Sequence, residues 1–336
     1  AYNNRTANYN AWFAAIDHTT RQLWDLLMEP VITHLKSLDV AQAVLIPTGY
    51  LSFLPLHAAW VEDATTPTGR RYAQDTITFT YVPNARSLRA ARDIADRTAA
   101  TSLLAINEPR PTKQIALPNS EREIEAALAY FPDSPPLKHE QASRKAVLDA
   151  LPHCNLLHFS CHGYANFDNP LDSGLLLAND EVLSLRDCFN LQLQGIRLAI
   201  LSACETGLPG TKLPDEVISL PTGLLQAGVA GVAASLWSVA DLSTTLLLVR
   251  FYDFWRNDHL ASAEALRQAQ HWLRDTTNGQ KLNYFEQQLA NAGNNPSAAD
   301  NAEWWCEYFF RQKPGKLEDR SFAHPFHWAA FTYVGV

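Results

Sequence analysis

The sequence predicts an α/β protein with a mainly parallel central sheet, and three observations carry that prediction. The stretch Arg197-Leu-Ala-Ile-Leu-Ser-Ala-Cys-Glu-Thr-Gly207 begins as an apolar run without alternation and ends in a turn signal, the pattern of a strand buried on both faces. Asn155-Leu-Leu-His-Phe-Ser-Cys161 repeats that grammar upstream and leads into His162 and Gly163. Segments of helical period lie between the strand-like runs, and such alternation is what a parallel α/β sheet requires.

Residues 10–38 carry Trp12, Phe13, Ile16, Leu23, Leu26, Leu27, Ile32 and Leu35 at spacings of three and four, interrupted by Pro30. They predict two helical segments, an entry arm (1–40) leading onto one large domain (41–336). Ala43–Pro47 predicts a short strand, Leu51–Leu56 a hairpin or corner, and the period-two alternation of Thr76–Val82 another strand. Asn84 or Ser87 is placed to cap a helix to Arg97, after which Thr101–Ile106 is the next strand.

Ser120, followed by Glu121 and Glu123, opens a helix through Leu128, and Ser143 opens a second through Leu151. Asn179-Asp180 has the composition of a tight hairpin turn between Gly174–Ala178 and Glu181–Leu183, and Ser184 can cap a short helix to Phe189. Past Gly207 a loop leads to a helix from Asp215 to Ala227, stopped by Gly228. Val229–Trp237 is a strand of small residues, which permits close approach by neighbouring backbone or a ligand.

Asp241–Phe254 and Ser262–Leu273 read as helices. From Thr276 to Arg320 the composition shifts to Asn, Gln and Ala, and helices near Tyr284–Ala292 and Asn301–Arg311 make this a helical insertion. His324–Val334 reads as a final strand.

The net charge of −8 gives no global electrostatic reason to bind nucleic acid or an anionic membrane. The five cysteines, Cys154, Cys161, Cys188, Cys204 and Cys306, cannot all pair and show no Cys-x-x-Cys spacing, which is reduced, cytoplasmic usage. No apolar run approaches the roughly 20 residues of a membrane helix, and no signal peptide pattern opens the chain. The start Ala-Tyr-Asn-Asn and the single methionine, Met28, read as part of something longer.

Functional groups of open α/β sheets collect where strands end. Two adjacent parallel strands would bring His162 and Cys204 to one cleft as a cysteine–histidine dyad, with His162 supplying the charge that a thiolate nucleophile needs. The residues alone also allow Cys204 to be an ordinary buried thiol and His162 a core hydrogen-bonding group, although His158 fits that structural duty better. A zinc set of Cys154, His158, Cys161 and His162 is disfavoured, because alternation sends Cys161 to the face opposite His158. No cofactor is called for.

The runs Leu-Leu-His-Phe-Ser-Cys-His-Gly163, Pro170-Leu-Asp-Ser-Gly-Leu-Leu-Leu177, Leu-Ala-Ile-Leu-Ser-Ala-Cys-Glu-Thr-Gly207 and Ala234-Ser-Leu-Trp-Ser-Val-Ala-Asp241 resemble CHAT domains, caspase-like cysteine peptidases related to separases. The resemblance extends from Leu45-Ile-Pro-Thr-Gly-Tyr to the terminal His-Pro-Phe-His-Trp-Ala-Ala-Phe331. It implies a caspase-like α/β/α sandwich with Cys204 as nucleophile, His162 as acid and base, and an oxyanion hole at the backbone N–H groups of Gly163 and Cys204. It also makes Asp241 a candidate for receiving a basic P1 side chain, against the alternative that it caps the helix it precedes.

Trp237 could wall the same pocket or simply fill the core. Glu205, Asp215 and Glu216 could shape an acidic substrate cleft or simply keep a solvated loop soluble and favour a helix N-terminus, Asp172 and Ser173 read as turn organisers, and Gly207–Pro214 as a loop whose ordering could regulate the site. The implied function is a regulated endopeptidase acting on a protein substrate, attached to or bound by a sensor such as helical repeats. A catalytically silent scaffold of the same fold is the alternative. A small-ester hydrolase lacks its glycine-flanked nucleophile elbow here.

Overall fold

The unalternating apolar runs form the middle of an eight-stranded sheet in the order β1-β4-β13-β12-β11-β7-β5-β6. The computed structural model describes residues 9–164, 166, 169–191, 193, 195–203, 219–293, 295–311 and 316–336. The sheet strands are β1 (Gln42–Leu45), β4 (Thr78–Tyr81), β5 (Leu103–Asn107), β6 (Leu137–Lys138), β7 (Leu156–Ser160), β11 (Leu198–Ser202), β12 (Gly231–Ser235) and β13 (Phe331–Gly335). A hairpin of β2 (Trp60–Glu62) and β3 (Arg70–Tyr72) and a side sheet of β8 (His162–Tyr164), β9 (Gly174–Leu176) and β10 (Val182–Ser184) complete the strands.

The pairings within the large sheet are parallel apart from β12 with β13. Every residue of β5, β7, β11 and β12 is buried, as strands covered on both faces must be.

Alternation within each strand feeds two hydrophobic clusters. Leu157, Phe159, Ala199 and Leu201 join one, together with α2 (Glu29–Ser37), α3 (Ala85–Ala95), α5 (Arg144–Ala150), α6 (Leu185–Asn190) and α7 (Leu220–Ala227). Leu156, Leu198 and Ile200 join the other, with α4 (Ser120–Leu128), α8 (Asp241–Arg256), α9 (Ser262–Asp275), α10 (Asn278–Asn291), α11 (Pro296–Phe310) and α12 (Pro325–Trp328). The result is an α/β/α sandwich.

Several sequence expectations need correction. Pro30 does not separate two helices: α1 (Tyr9–Leu23) runs through a π-helical segment, Trp24–Met28, directly into α2, where Pro30 occupies the first turn and its missing N–H is harmless. This helical run is docked on the core, since Leu23, Trp24, Met28 and Ile32 are buried and Asp17 pairs with Arg70. Residues 49–58 form two 3-10 turns, a corner and not a hairpin. The closing segment begins as the single-turn helix α12, because His324 caps Phe326 N–H before the strand starts.

Other expectations match closely. Asn84 caps α3 at Ser87 N–H, Ser143 caps α5 and Ser184 caps α6. Asn179 and Asp180 both adopt positive φ, 65° and 58°, in the turn between antiparallel β9 and β10. Gly228 ends α7 at φ 111°, where an added Cβ would strike the Leu193 carbonyl. In β12 the close approach comes from within the sheet, the Tyr333 hydroxyl occupying the space over Gly231. The beginning of the helix expected from Asp215 lies outside the described residues. Among the described residues, no helix is long and apolar enough to cross a membrane.

Candidate active site

Parallel pairing of β7 with β11 places Ser160 opposite Ser202 at their carboxyl ends. Cys161 N–H then donates to the Ser202 carbonyl at 3.3 Å, so the two chains leave the sheet side by side. His162 is the next residue on one chain, and Cys204 follows Ser202 and Ala203 on the other. Cys204 itself lies outside the described residues, as do Glu205, Asp215, Glu216 and the loop Gly207–Pro214.

His162 opens β8 with its ring partly exposed, and its Nε2–H donates to the Ile115 carbonyl at 2.8 Å. A carbonyl can only accept, so this bond puts the proton on Nε2 and makes Nδ1 the lone-pair nitrogen of the neutral ring. Gly163 lies in β8 opposite Leu175.

The chain ahead of Cys204 is held from two sides. Ser202 Oγ donates to Glu123 Oε2 at 3.0 Å, and Ser235 Oγ of β12 donates to the Ala203 carbonyl at 2.8 Å.

A cleft of about 50 Å³ opens at these strand ends, lined among others by Ser160, Ser202, Ala203, Ser235 and Asp241. A larger cleft of about 340 Å³ adjoins it and includes His162, Cys161, Ile115 and Leu117. Cys161 and Leu117 line both clefts, with the histidine on one and the acid on the other.

Asp241 is the first residue of α8, but that helix is capped by Ala240 without a side-chain bond. The carboxylate instead reaches α4: its Oδ2 accepts from Asn119 N–H at 3.0 Å and from Asn119 Nδ2 at 2.7 Å. Both bonds fall on one oxygen, so Asn119 leaves Oδ1 unengaged. Burial pushes the Asp241 carboxyl above its ordinary range, opposed by the Asn119 hydrogen bonds and reinforced by the nearby Glu123 and Glu108. A desolvated acid of this kind gains most from a cationic guest.

Trp237 is a core residue, buried in the cluster beneath α8 with Nε1–H donating to the Phe326 carbonyl at 3.0 Å, and it does not line the small cleft. Asp172 accepts from Arg186, and Ser173 Oγ accepts from Asn166 N–H, so both organise the turn ahead of β9. Burial pushes the Cys154 thiol up to about 11 and the Cys188 thiol up to about 12, which makes both poor nucleophiles.

His158 has both ring nitrogens engaged, Nε2 with Glu123 Oε1 at 2.7 Å and Nδ1 with the Tyr252 hydroxyl at 2.9 Å. Glu123, Asn119 and the loop residues Ile115 and Leu117 escaped sequence reasoning as site residues. The signal for Glu123 was available: it shares the core-facing stripe of α4 with Ser120, Ile124 and Ala127, an acid where only apolar or small groups belong.

The family profile described as "CHAT domain" matches residues 17–336. No curated protein matches. Among solved structures, the Saccharomyces cerevisiae separase–securin complex aligns at 12% identity over 68% of this chain, with a TM-score of 0.48. The chain spans only 14% of that separase chain's length. The Arg-specific cysteine proteinase gingipain R aligns at 9% identity over 96% of this chain and 67% of its own, with a TM-score of 0.49. The complex of Porphyromonas gingivalis RgpB pro- and mature domains aligns at 10% identity over 96% of this chain and 68% of its own, with a TM-score of 0.46.

Proposed function

The chain belongs to the CHAT domain family, and from that premise we propose that it is a regulated, cytoplasmic cysteine endopeptidase acting on a protein substrate. One arrangement carries the reading: the in-register carboxyl ends of β7 and β11, which bring His162 and the residue immediately before Cys204 to the same edge of the sheet. The Cys204 thiolate attacks the scissile carbonyl carbon. The resulting oxyanion is received by the backbone N–H groups of Gly163 and Cys204, donors that are each worth about two to three powers of ten in rate in such sites.

The intermediate collapses with cleavage of the C–N bond, and protonated His162 gives a proton to the departing amine. Water, deprotonated by the now neutral imidazole, hydrolyses the thioester, releasing the acid and restoring the thiolate beside the protonated imidazole. The Ile115 carbonyl favours this division of labour, because it occupies Nε2 and leaves Nδ1 to carry the proton.

The substrate's P1 residue is proposed to be arginine or lysine, received by Asp241 in the small cleft. Ser160, Ser202 and Ser235 add hydroxyl groups that suit a polar terminus. The regulatory partner is proposed to be a sensor such as a helical repeat domain joined through the helical run at residues 9–37.

Cleavage of a peptide library varied at P1, read by mass spectrometry with any activating partner present, tests this reading. Cuts after Arg or Lys that vanish in Cys204→Ala support it. Cuts that persist in that variant, or that follow apolar residues alone, remove the nucleophile or the Asp241 assignment respectively.

A further inference from the structure

The Glu123 carboxylate is buried, 1% exposed, and uses its two oxygens on two different strands. Oε1 bonds Nε2 of His158, the central residue of β7, and Oε2 accepts from Ser202 Oγ, the last residue of β11. β7 is the strand that delivers His162, and β11 is the strand that leads to Cys204.

His158 is wholly buried, and its other nitrogen meets the buried Tyr252 hydroxyl of α8. The same α4 that carries Glu123 follows its N-cap residue Asn119, whose N–H groups donate to Asp241. A single helix thus touches both catalytic strands and the proposed specificity acid.

We infer that Glu123 is a positioning residue that fixes the orientation in which the strands leading to His162 and Cys204 leave the sheet, an inference that rests on the proposed dyad. Backbone pairing alone fixes β7 against β11 in steps of a residue pair, but it does not fix the rotation of the last residue before the chain leaves the sheet. The Ser202 hydroxyl does that, and Glu123 holds the hydroxyl. A carboxylate suits the task because it accepts from two donors in different directions. Its burial makes the arrangement all or none, since losing either donor leaves a buried acceptor unsatisfied.

The test uses Glu123→Gln, Ser202→Ala and the double variant in the intact chain. Three readouts are taken: the unfolding midpoint, kcat and KM on a cleaved peptide, and the rate at which iodoacetamide alkylates Cys204. Ser202→Ala keeps the His158 contact and deletes only the arm toward β11, so it tests the claim even if Glu123→Gln fails to fold.

The expected result is a loss of about ten- to a hundred-fold in kcat for Ser202→Ala, the scale of a small misplacement of reacting groups, with KM little changed and the unfolding midpoint lowered by the buried acceptor left unsatisfied. The double variant should lose little more than Glu123→Gln alone, because each single change acts on the same Glu123–Ser202 hydrogen bond. Alkylation of Cys204 should change with kcat. Unchanged kcat and alkylation in Ser202→Ala, or fully additive losses, would overturn the inference and leave Glu123 a structural acid. The alkylation readout needs no peptidase activity, so a wild-type chain that alkylates at Cys204 but cuts nothing refutes the proposed function while still reporting on the positioning claim.

Discussion

Two histidines four residues apart on one chain occupy opposite regimes. His158 sits within β7 with no exposed surface and both nitrogens engaged by side chains that are themselves buried. His162 sits just past the strand's end, partly exposed, with one nitrogen engaged by a backbone carbonyl. The layer beneath the strand ends is dry and hydrogen-bonded at this histidine, whereas the edge above it meets solvent. A catalytic histidine needs a nitrogen that can gain and lose a proton, and a histidine with both nitrogens committed in a dry interior cannot serve.

The strongest way to sharpen that contrast is activity. His162→Ala and Cys204→Ala should each reduce peptide cleavage by about four powers of ten or more, as for other nucleophile–base pairs, with little change in the unfolding midpoint. A His162→Ala variant that keeps activity would erase the distinction.

Stability should show the reverse. His158→Ala leaves Glu123 Oε1 and the Tyr252 hydroxyl without this partner in a dry site, and each buried polar group left unsatisfied costs about 1–3 kcal/mol, measurable by urea unfolding. His162→Ala should lie within about 0.5 kcal/mol of wild type, as a partly exposed substitution does. Equal costs at the two positions would contradict the two-layer picture.

Asp241 is intermediate, half in each layer. Asp241→Asn should lower kcat/KM for Arg and Lys at P1 by about a hundred-fold, the scale of losing one partner of a desolvated charge pair, while apolar P1 peptides change little. KM and kcat measured on matched Arg and Leu peptides check this.

The same residue carries the smallest expected effect, a pH dependence. Its folded pKa is raised by burial, so the native state holds this proton more tightly than the unfolded chain. Its contribution to stability is therefore present at low pH and declines as pH rises from the ordinary carboxylate value of 3.8 through the raised value. Asp241→Asn should flatten that decline, which urea unfolding across the acid range would resolve.

What the sequence makes legible follows from the physics of each element. β7 and β11 were readable because strands covered on both faces must be continuously apolar, and their endpoints followed from where that run stops. Caps at Asn84, Ser143 and Ser184 were readable because they act over three residues. The helical run at residues 9–37 misled because Pro30 breaks a helix interior but not a first turn, and a π-helical segment upstream put it in one.

Asp241 shows the limit of local reasoning. A helix-initial acid reads as a cap for its own helix, yet its hydrogen bonds go to Asn119, far away in sequence. Glu123 differs: its place on the core-facing stripe of α4 marks it in the sequence, but its partners on β7 and β11 are assembled only when the sheet forms.

The measurement that bears most directly on the proposed site is covalent labelling with peptidyl electrophiles that differ at P1, basic against apolar and acidic, applied to wild type, Cys204→Ala and His162→Ala with any activating partner present. Mass spectrometry identifies the modified residue. The account predicts modification at Cys204, fastest with Arg or Lys at P1, slowed in His162→Ala and absent in Cys204→Ala. Modification of wild type at a different cysteine, or equal labelling in Cys204→Ala, would contradict it.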